Sequence, residues 1–517
     1  MTRRSLASDT AYNTASFVIR MVGVIIALAW VARSLGPEGQ GRFGFVHWLA
    51  AILGQLVLWG LGVAATRFVA RSLGASNPVA ARAVVDLTTR WLTRTIAAFS
   101  FLAVPAIWSF GGELRIALFA ALPLLIAVAL YQWRIGVAWG LRRFDIALVG
   151  HLVFFTLLLP MLGFGLSMSE PVVGALLSFA TARAVHCAVV WWWTERALDQ
   201  LLSEAGLERR TPESFPQLAP TIRSYALQMA VVAFFGAVLW ERSELPFLKV
   251  SSDYEQIGLY TAAFAIAVLF LRVPGVLAQV VLPVVSEMEG ARAGPEVIGD
   301  TFARAARLLT LLVASPIVLL WVGAADVVHF LYGTEYAGSV VLLRILLLPL
   351  LLTGLGAAGS KTLVGGGQHH RLVRITANAA AVKLLLCLAL VPELGALGAA
   401  VAVAVAFSGG LIAVAWVATG SFPTPDLPPT ARWTRQAAVA LTAGSCGWLA
   451  CFLVDPELSV FRLLTLGVGG ALGMLIAARI MQPLTHADGK VLSMALEKTA
   501  GARLLPLLQQ ISARRPN

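Results

Sequence analysis

Charge is scarce in this sequence. Asp, Glu, Lys and Arg make up 13% of its 517 residues, against 58% hydrophobic residues, and the mean hydropathy is +0.81. A soluble domain carries about a quarter charged residues, so there is too little polar surface here to cover a globule in water. Cysteine is scarcer still. Cys187, Cys387, Cys446 and Cys451 are the only four. All lie in apolar runs, and none shows the spacing of a disulfide framework or a metal box. Long outer loops are missing as well, and no Ser/His/Asp constellation stands in the loops that exist. That argues against an enzyme with a catalytic loop domain, and no cofactor motif is expected. MTRRSLASDT leads into an apolar run too long for a signal peptide and lacking a small-residue cleavage site, so that run is read as a retained helix.

What the chain has in abundance is membrane-length apolar segments. A bilayer core needs about 20 such residues per helix. Fourteen runs meet the need: 12–33, 43–65, 83–110, 114–138, 146–168, 171–193, 221–241, 257–283, 303–332, 338–359, 372–392, 394–418, 436–454 and 458–481. The pair 372–392 and 394–418 is split by VPELGA, where Pro392 and Gly395 mark a turn. With the N-terminus inside, 24 of the 39 Lys and Arg fall in inner loops, tails or the inner ends of runs, 6 in outer loops or the outer ends of runs, and 9 deeper within the runs. Inner loops of membrane proteins collect Lys and Arg, so both termini are expected in the cytoplasm and the span number even. The net charge of +12 then needs no nucleic acid to explain it.

The chain repeats itself weakly. PEGQGRF (37–43) and YEQIGLY (254–260) align at an offset of 217, pairing Glu38 with Glu255, Gly41 with Gly258 and Phe43 with Tyr260. Each stretch stands between the first and second spans of a six-span group. The expected plan is an N-lobe (1–193), a polar inner linker (194–220), a C-lobe (221–418), two extra spans (419–485) and an inner tail (486–517). Two parallel repeats with cargo bound at their interface are a known transporter plan. GLGAAGSKT (354–362) imitates a P-loop, but Ser360 separates Gly359 from Lys361 and the pattern fails. GGALG (469–473) has the spacing of close helix packing. Residues 488–512 place leucines at helical spacing beside basic residues, as in a helix lying on an anionic surface.

Four further stretches carry a resemblance. VARSLGPEGQGRFGF (31–45), IGLYTAAFAIA (257–267), FLYGTEYAGSVVLLRILLL (330–348) and PELGALGAAVAVAVA (392–406) resemble, in this order, segments of Wzx-type polysaccharide flippases of the MOP (multidrug/oligosaccharidyl-lipid/polysaccharide) superfamily. The resemblance spans roughly residues 5–420. It implies an all-α integral membrane fold of about fourteen transmembrane helices, MATE-like, with two six-helix lobes plus two C-terminal helices. It also implies alternating access and export of a polyprenyl-pyrophosphate-linked glycan from the inner to the outer leaflet of a bacterial plasma membrane. H+ or Na+ as coupling ion and contact with polysaccharide polymerase machinery are further expectations of the same kind. Alternatives are a lipid II flippase, a drug/cation antiporter of the same superfamily, or a membrane polysaccharide polymerase. The last usually needs a large outer loop that this chain lacks.

Ionisable residues inside spans are costly and mark sites or partners. Arg20 lies about 12 Å into the first span at 1.5 Å per residue, on a small, polar stripe with Asn13, Ser16, Gly23 and Ala27. Arg272 is central in the eighth span and Lys383 in the eleventh; Arg183 and His186 stand one turn apart in the sixth. Arg20, Arg272, Lys383 and Arg183 are therefore read as the wall of a cationic cavity for pyrophosphate, arginines offering paired donors that match phosphate oxygens. The resemblance adds that related lipid flippases carry essential cations in the first and eighth spans, which here are Arg20 and Arg272. Arg90, Arg94, Arg134, Arg223 and Arg344 are read instead as snorkelling or paired. In LWERSELPFLK (239–249), Glu241 and Glu244 would share a helix face, with Arg242 between them and Pro246 ending or kinking the helix. A gating or proton-coupling role is the functional reading of these three; a solvated helix end is the bland one.

Overall fold

The computed structural model describes residues 6–205, 218–278, 281–423, 430–454 and 459–481. Part of the expected linker (206–217), part of the Pro-rich 421–433 stretch (424–429) and the whole of 488–512 lie outside the described residues. The chain divides into two compact units. One holds Met1–Leu245 with Asp253–Gly258, the other Pro246–Ser252 with Leu259–Asn517.

The first unit is built from α1 (Leu6–Leu58), α2 (Leu61–Gly74), α3 (Pro78–Phe110), α4 (Arg115–Gly140), α5 (Phe144–Leu166), α6 (Pro171–Glu204) and α7 (Leu218–Trp240). A straight helix the length of α1 would reach about 80 Å, far more than a hydrocarbon core of about 30 Å. It is broken at Gly36, whose φ of 66° and ψ of 177° lie outside the helical region, and Pro37 follows. Neighbours show that the chain reverses there. Ser16 meets His151, Gly23 meets Phe155 and Gly163 meets Trp30, so the first half of α1 runs parallel to α5. Gly54 meets Leu125 and Thr66 donates to the Gly136 carbonyl at 2.8 Å, so the second half and α2 run parallel to α4. Because α4 and α5 pack antiparallel through Ile135, Ala138, Ile146 and Ala147, the halves of α1 run in opposite directions. The outer loop expected at 34–42 is thus one glycine-centred turn.

Local chemistry sets the helix ends. Asn77 caps α3, its Oδ1 accepting from Ala80 N–H at 2.8 Å, with Pro78 at the first helical position. Between α1 and α2 two consecutive residues, Trp59 (φ 47°) and Gly60 (φ 69°), are left-handed. A side chain on Gly60 would come within 2.4 Å of the Ala226 carbonyl, because α7 passes directly over this break. α7 ends at Trp240, six residues before Pro246. Pro246 sits instead in the first turn of α8 (Leu245–Ser251), where its missing N–H is harmless.

The second unit continues with α9 (Tyr254–Leu277, its first turn counted with the first unit), α10 (Val281–Gly290), α11 (Pro295–Val322), α12 (Ala324–Tyr332), α13 (Ser339–Leu347), α14 (Thr353–Gly365), α15 (His369–Ser421), α16 (Thr430–Val454) and α17 (Ser459–Met481). α15 is a second long helix folded on itself. Gly395 (φ 54°, ψ −131°) breaks it, and Arg371 near one end donates to Ser421 at the other at 2.8 Å. Phe302, Ala306, Leu309, Ala358, Leu363 and Val414 form a core joining α11, α14 and α15. The glycines of the false P-loop are packing positions here: a side chain on Gly354 would meet Thr310 N at 2.5 Å. α16 and α17 pack antiparallel on each other, Gly469 and Gly473 both lying against Cys446, and Gln436 donates to the Arg307 carbonyl of α11 at 3.1 Å.

Among the described residues twelve helical segments are long and apolar enough to cross a membrane. Two of them, in α1 and α15, are hairpins about Gly36 and Gly395, which makes fourteen spans, the number of apolar runs in the sequence. The chain is an all-α, multi-pass membrane protein, with no strand among the described residues.

Candidate functional site

The first unit contains a cavity of about 590 Å³ between α1, α2, α4, α5 and α6, lined among others by Arg20, Arg67, Tyr131, Gln132, His151 and Arg183. Among the described residues no Asp or Glu lines it. Its floor is a chain of polar contacts between helices. Ser16 Oγ lies 2.9 Å from His151 Nδ1, and Tyr131 OH lies 3.3 Å from His151 Nε2. Arg183 Nη1 donates to His186 Nδ1 at 3.1 Å, which places the His186 proton on Nε2, since Arg can only donate. The Arg183 guanidinium stands 3.9 Å from the Phe154 ring centroid and 4.9 Å from that of Tyr131. Such stacking holds a cation in an apolar wall without neutralising it.

A second arginine cluster shows the contrast. Arg134, fully buried, donates to Glu195 at 2.6 Å and to Thr194, and its guanidinium lies 4.5 Å from the Trp191 ring centroid. Arg82 binds the same Glu195 and reaches Asp86 at 3.1 Å. Two cations here meet two carboxylates, which makes this a structural knot. Among the described residues no carboxylate lines the cavity shared by Arg20, Arg67 and Arg183.

Of the residues read from sequence as the cationic wall, Arg20 and Arg183 share this cavity. The stripe around Arg20 has a different task from the one expected. Gly23 and Ala27 are packing positions: a side chain on Gly23 would fall 2.5 Å from Phe155, and Ala27 is buried. Small residues here let α5 approach α1, and Arg20 emerges beside that contact. Arg272 is exposed on α9 in the second unit. Lys383 is fully buried, 5.9 Å from the Phe407 ring across the α15 hairpin. Its side chain has no accessible surface. Glu241, Arg242 and Glu244 lie in the turn after α7, outside any helix, so the helical i, i+3 relation does not apply to the two acids. Glu244 is buried there and Glu241 is partly so. Arg67, Tyr131 and His151 line the cavity as well, and the pattern of apolar runs does not mark them. An intramembrane histidine at 151, one helix away from Arg183, was the signal available.

No family profile and no curated protein matches the sequence. Solved structures do. The structure is similar to the inward-facing conformation of a multidrug resistance MATE family transporter of the MOP superfamily, with TM-score 0.65 and 18% identity over 80% of this chain and 97% of that one. It is similar to the lipid II flippase MurJ in an inward closed conformation, with TM-score 0.67 and 14% identity over 91% of this chain and 98% of that one. An outward-facing MATE structure matches with TM-score 0.54 and 18% identity over 80% and 95%. The chain has the MATE/MurJ fold. At these identities the likeness concerns the fold, and the cargo has to be argued from the cavity.

Proposed function

We propose that this chain is a flippase that carries a polyprenyl-pyrophosphate-linked glycan from the inner to the outer leaflet of a bacterial plasma membrane, by alternating access, with both termini in the cytoplasm. One observation carries the reading: a cavity among membrane-length helices, lined by three arginines and, among the described residues, by no carboxylate. Placing a cation at such depth is costly, and an anionic cargo offsets that cost. Arg20 and Arg183 would bind the pyrophosphate, Arg by paired donors. A cationic drug would meet repulsion in the same wall, which disfavours the antiporter. Arg272 would serve as a further phosphate contact, and the Glu241–Arg242–Glu244 turn would serve coupling to H+ or Na+.

A second reading is lipid II as cargo. The broad match to MurJ, over 91% of this chain, favours it, and its headgroup is anionic in the same way. Mass spectrometry of polyprenyl-linked lipids in cells depleted of the protein separates the two. Accumulation of a pyrophosphate-linked oligosaccharide with loss of surface polymer supports the first. Accumulation of lipid II supports the second. An unchanged lipid profile with altered drug sensitivity would overturn both.

A further inference from the structure

Arg67 belongs to two cavities. It lines the Arg20–Arg183 cavity and also a second one of about 500 Å³ between the last turns of α2 and the first turns of α7, together with Arg71, Thr221, Ser224, Tyr225 and Gln228. The side chain is held at the divide. Its guanidinium lies 4.3 Å from the Tyr225 ring centroid and 5.8 Å from that of Phe68, and the two rings meet edge to face at 5.7 Å. A guanidinium stacked by its face keeps its N–H edges free for ligands. Among the described residues neither Arg67 nor Arg71 has a carboxylate partner, and Ser224 and Gln228 make no hydrogen bond. Arg67 and Arg71 stand four residues apart on α2, where like charges repel and an anion between them would reverse the sign of the interaction. All of these residues lie at the membrane face that the Lys and Arg distribution assigns to the cytoplasm.

We propose that Arg67, Arg71, Ser224 and Gln228 form a loading site for the phosphate of a lipid-linked anion, and that Arg67 passes this phosphate into the Arg20–Arg183 cavity. The inference rests on the flippase reading and adds to it a first station and a route. α2 forms a common wall of both cavities: Arg71 lies about 6 Å from Arg67 along the helix axis, and Gly62 about 7.5 Å further in, at 1.5 Å per residue. A phosphate moving by that spacing keeps one arginine in reach throughout. The guanidinium of Arg67 needs only to turn on the Tyr225 ring, and no bond is made or broken.

The test is calorimetric titration of the full-length protein, in phosphatidylcholine nanodiscs, with geranylgeranyl pyrophosphate. Two classes of site per chain are expected. Arg71→Gln and Ser224→Glu should remove the outer class and spare the inner one. Arg20→Gln should weaken the inner class alone. Arg67→Gln should weaken both by about tenfold, the worth of one charge-assisted hydrogen bond, and Arg67→Lys should restore part of each. If Arg67→Gln affects one class only, or Arg71→Gln and Ser224→Glu change nothing, the loading site is overturned while the Arg20 effect still supports the flippase reading. If the wild-type protein binds no pyrophosphate, both fall. Repeating the titration in discs containing phosphatidylglycerol separates the sources of phosphate. Retention of the outer class supports the cargo, and its loss to competition would identify an ordinary headgroup site and overturn the proposal.

Discussion

Gly41 and Gly258, paired by the 217-residue repeat, face each other where the second half of α1 meets the first turn of α9. A Cβ on Gly41 would lie 1.8 Å from the Tyr254 carbonyl, and a Cβ on Gly258 would lie 1.8 Å from the Pro37 carbonyl. Tyr254 and Pro37 are themselves repeat-related, so the contact is reciprocal, as at a twofold axis. Around it Arg42 stands 5.2 Å from the Tyr254 ring centroid and bonds Glu38 at 2.8 Å. The neighbours on both sides are backbone, which cannot rotate away.

Either glycine replaced by alanine should therefore separate the two helices. Overpacking of this kind costs roughly 1–3 kcal/mol. Gly41→Ala and Gly258→Ala should each lower the thermal midpoint of the solubilised protein. The double variant should lose less than the sum, because one separation relieves both clashes. Additive losses would mean that the two positions do not share a contact.

The buried Arg134–Glu195 pair makes a sharper stability prediction. Removing one partner of a buried pair typically costs about 3–5 kcal/mol, because the other charge stays unmatched. Glu195→Gln leaves both Arg134 and Arg82 without their shared carboxylate, although Arg82 keeps Asp86. It should lower the yield of folded protein and the thermal midpoint more than Asp86→Asn does. Equal effects would place the weight of the cluster on Arg82 instead.

Much of the fold was legible in the sequence because apolar run length is a direct consequence of bilayer thickness. The fourteen runs are compatible with the twelve membrane-length segments among the described residues, two of which are hairpins, and VPELGA became the turn at Gly395. The kind of turn was less legible. Gly36 and Gly395 reverse the chain within helices that otherwise continue, which hydropathy does not register. The site was legible in part for a related reason. Depth within an apolar run flagged Arg20, Arg183 and Lys383 alike, yet depth does not say which side of a helix faces a cavity. Packing decides that: Lys383 is enclosed by its own hairpin, whereas Arg20 sits beside the small residues that admit α5. Arg67 stands in sequence among the inner loop charges, and only the packing of α2 against α4 and α7 turns it toward cavities.

Sidedness is tested at the two turns that flank the second span. Glu38, after Gly36, and Ala75, after α2, are both exposed and lie at opposite ends of the α1–α2 segment. In a cysteine-free background, Glu38→Cys should react with a membrane-impermeant maleimide in intact cells. Ala75→Cys should react only after permeabilisation. The reverse pattern would invert the topology and move the Arg67–Arg71 cluster to the outer face.

The cavity itself is tested by charge. Arg20 and Arg183 reach it from different helices, and neither needs the other to fold: Arg183 is held by His186, Tyr131 and Phe154, and Arg20 is exposed. Their neutral variants Arg20→Gln and Arg183→Gln should therefore accumulate at normal levels while export falls, by about tenfold or more for each lost charge-assisted contact. Arg20→Glu should abolish export, since it sets a carboxylate against a phosphate in a site of low dielectric. Arg183→Lys should recover little, because a point charge does not reproduce the paired donors of a guanidinium. The readout is surface polymer per unit of membrane protein, with the polyprenyl-linked precursor measured in the same cells. Full export by Arg20→Glu at normal protein level would show that no anion passes this wall, and the flippase reading would be withdrawn. Loss of export with no accumulated precursor would instead mean that the arginines act before the lipid-linked substrate is made, and the cavity would no longer be its path.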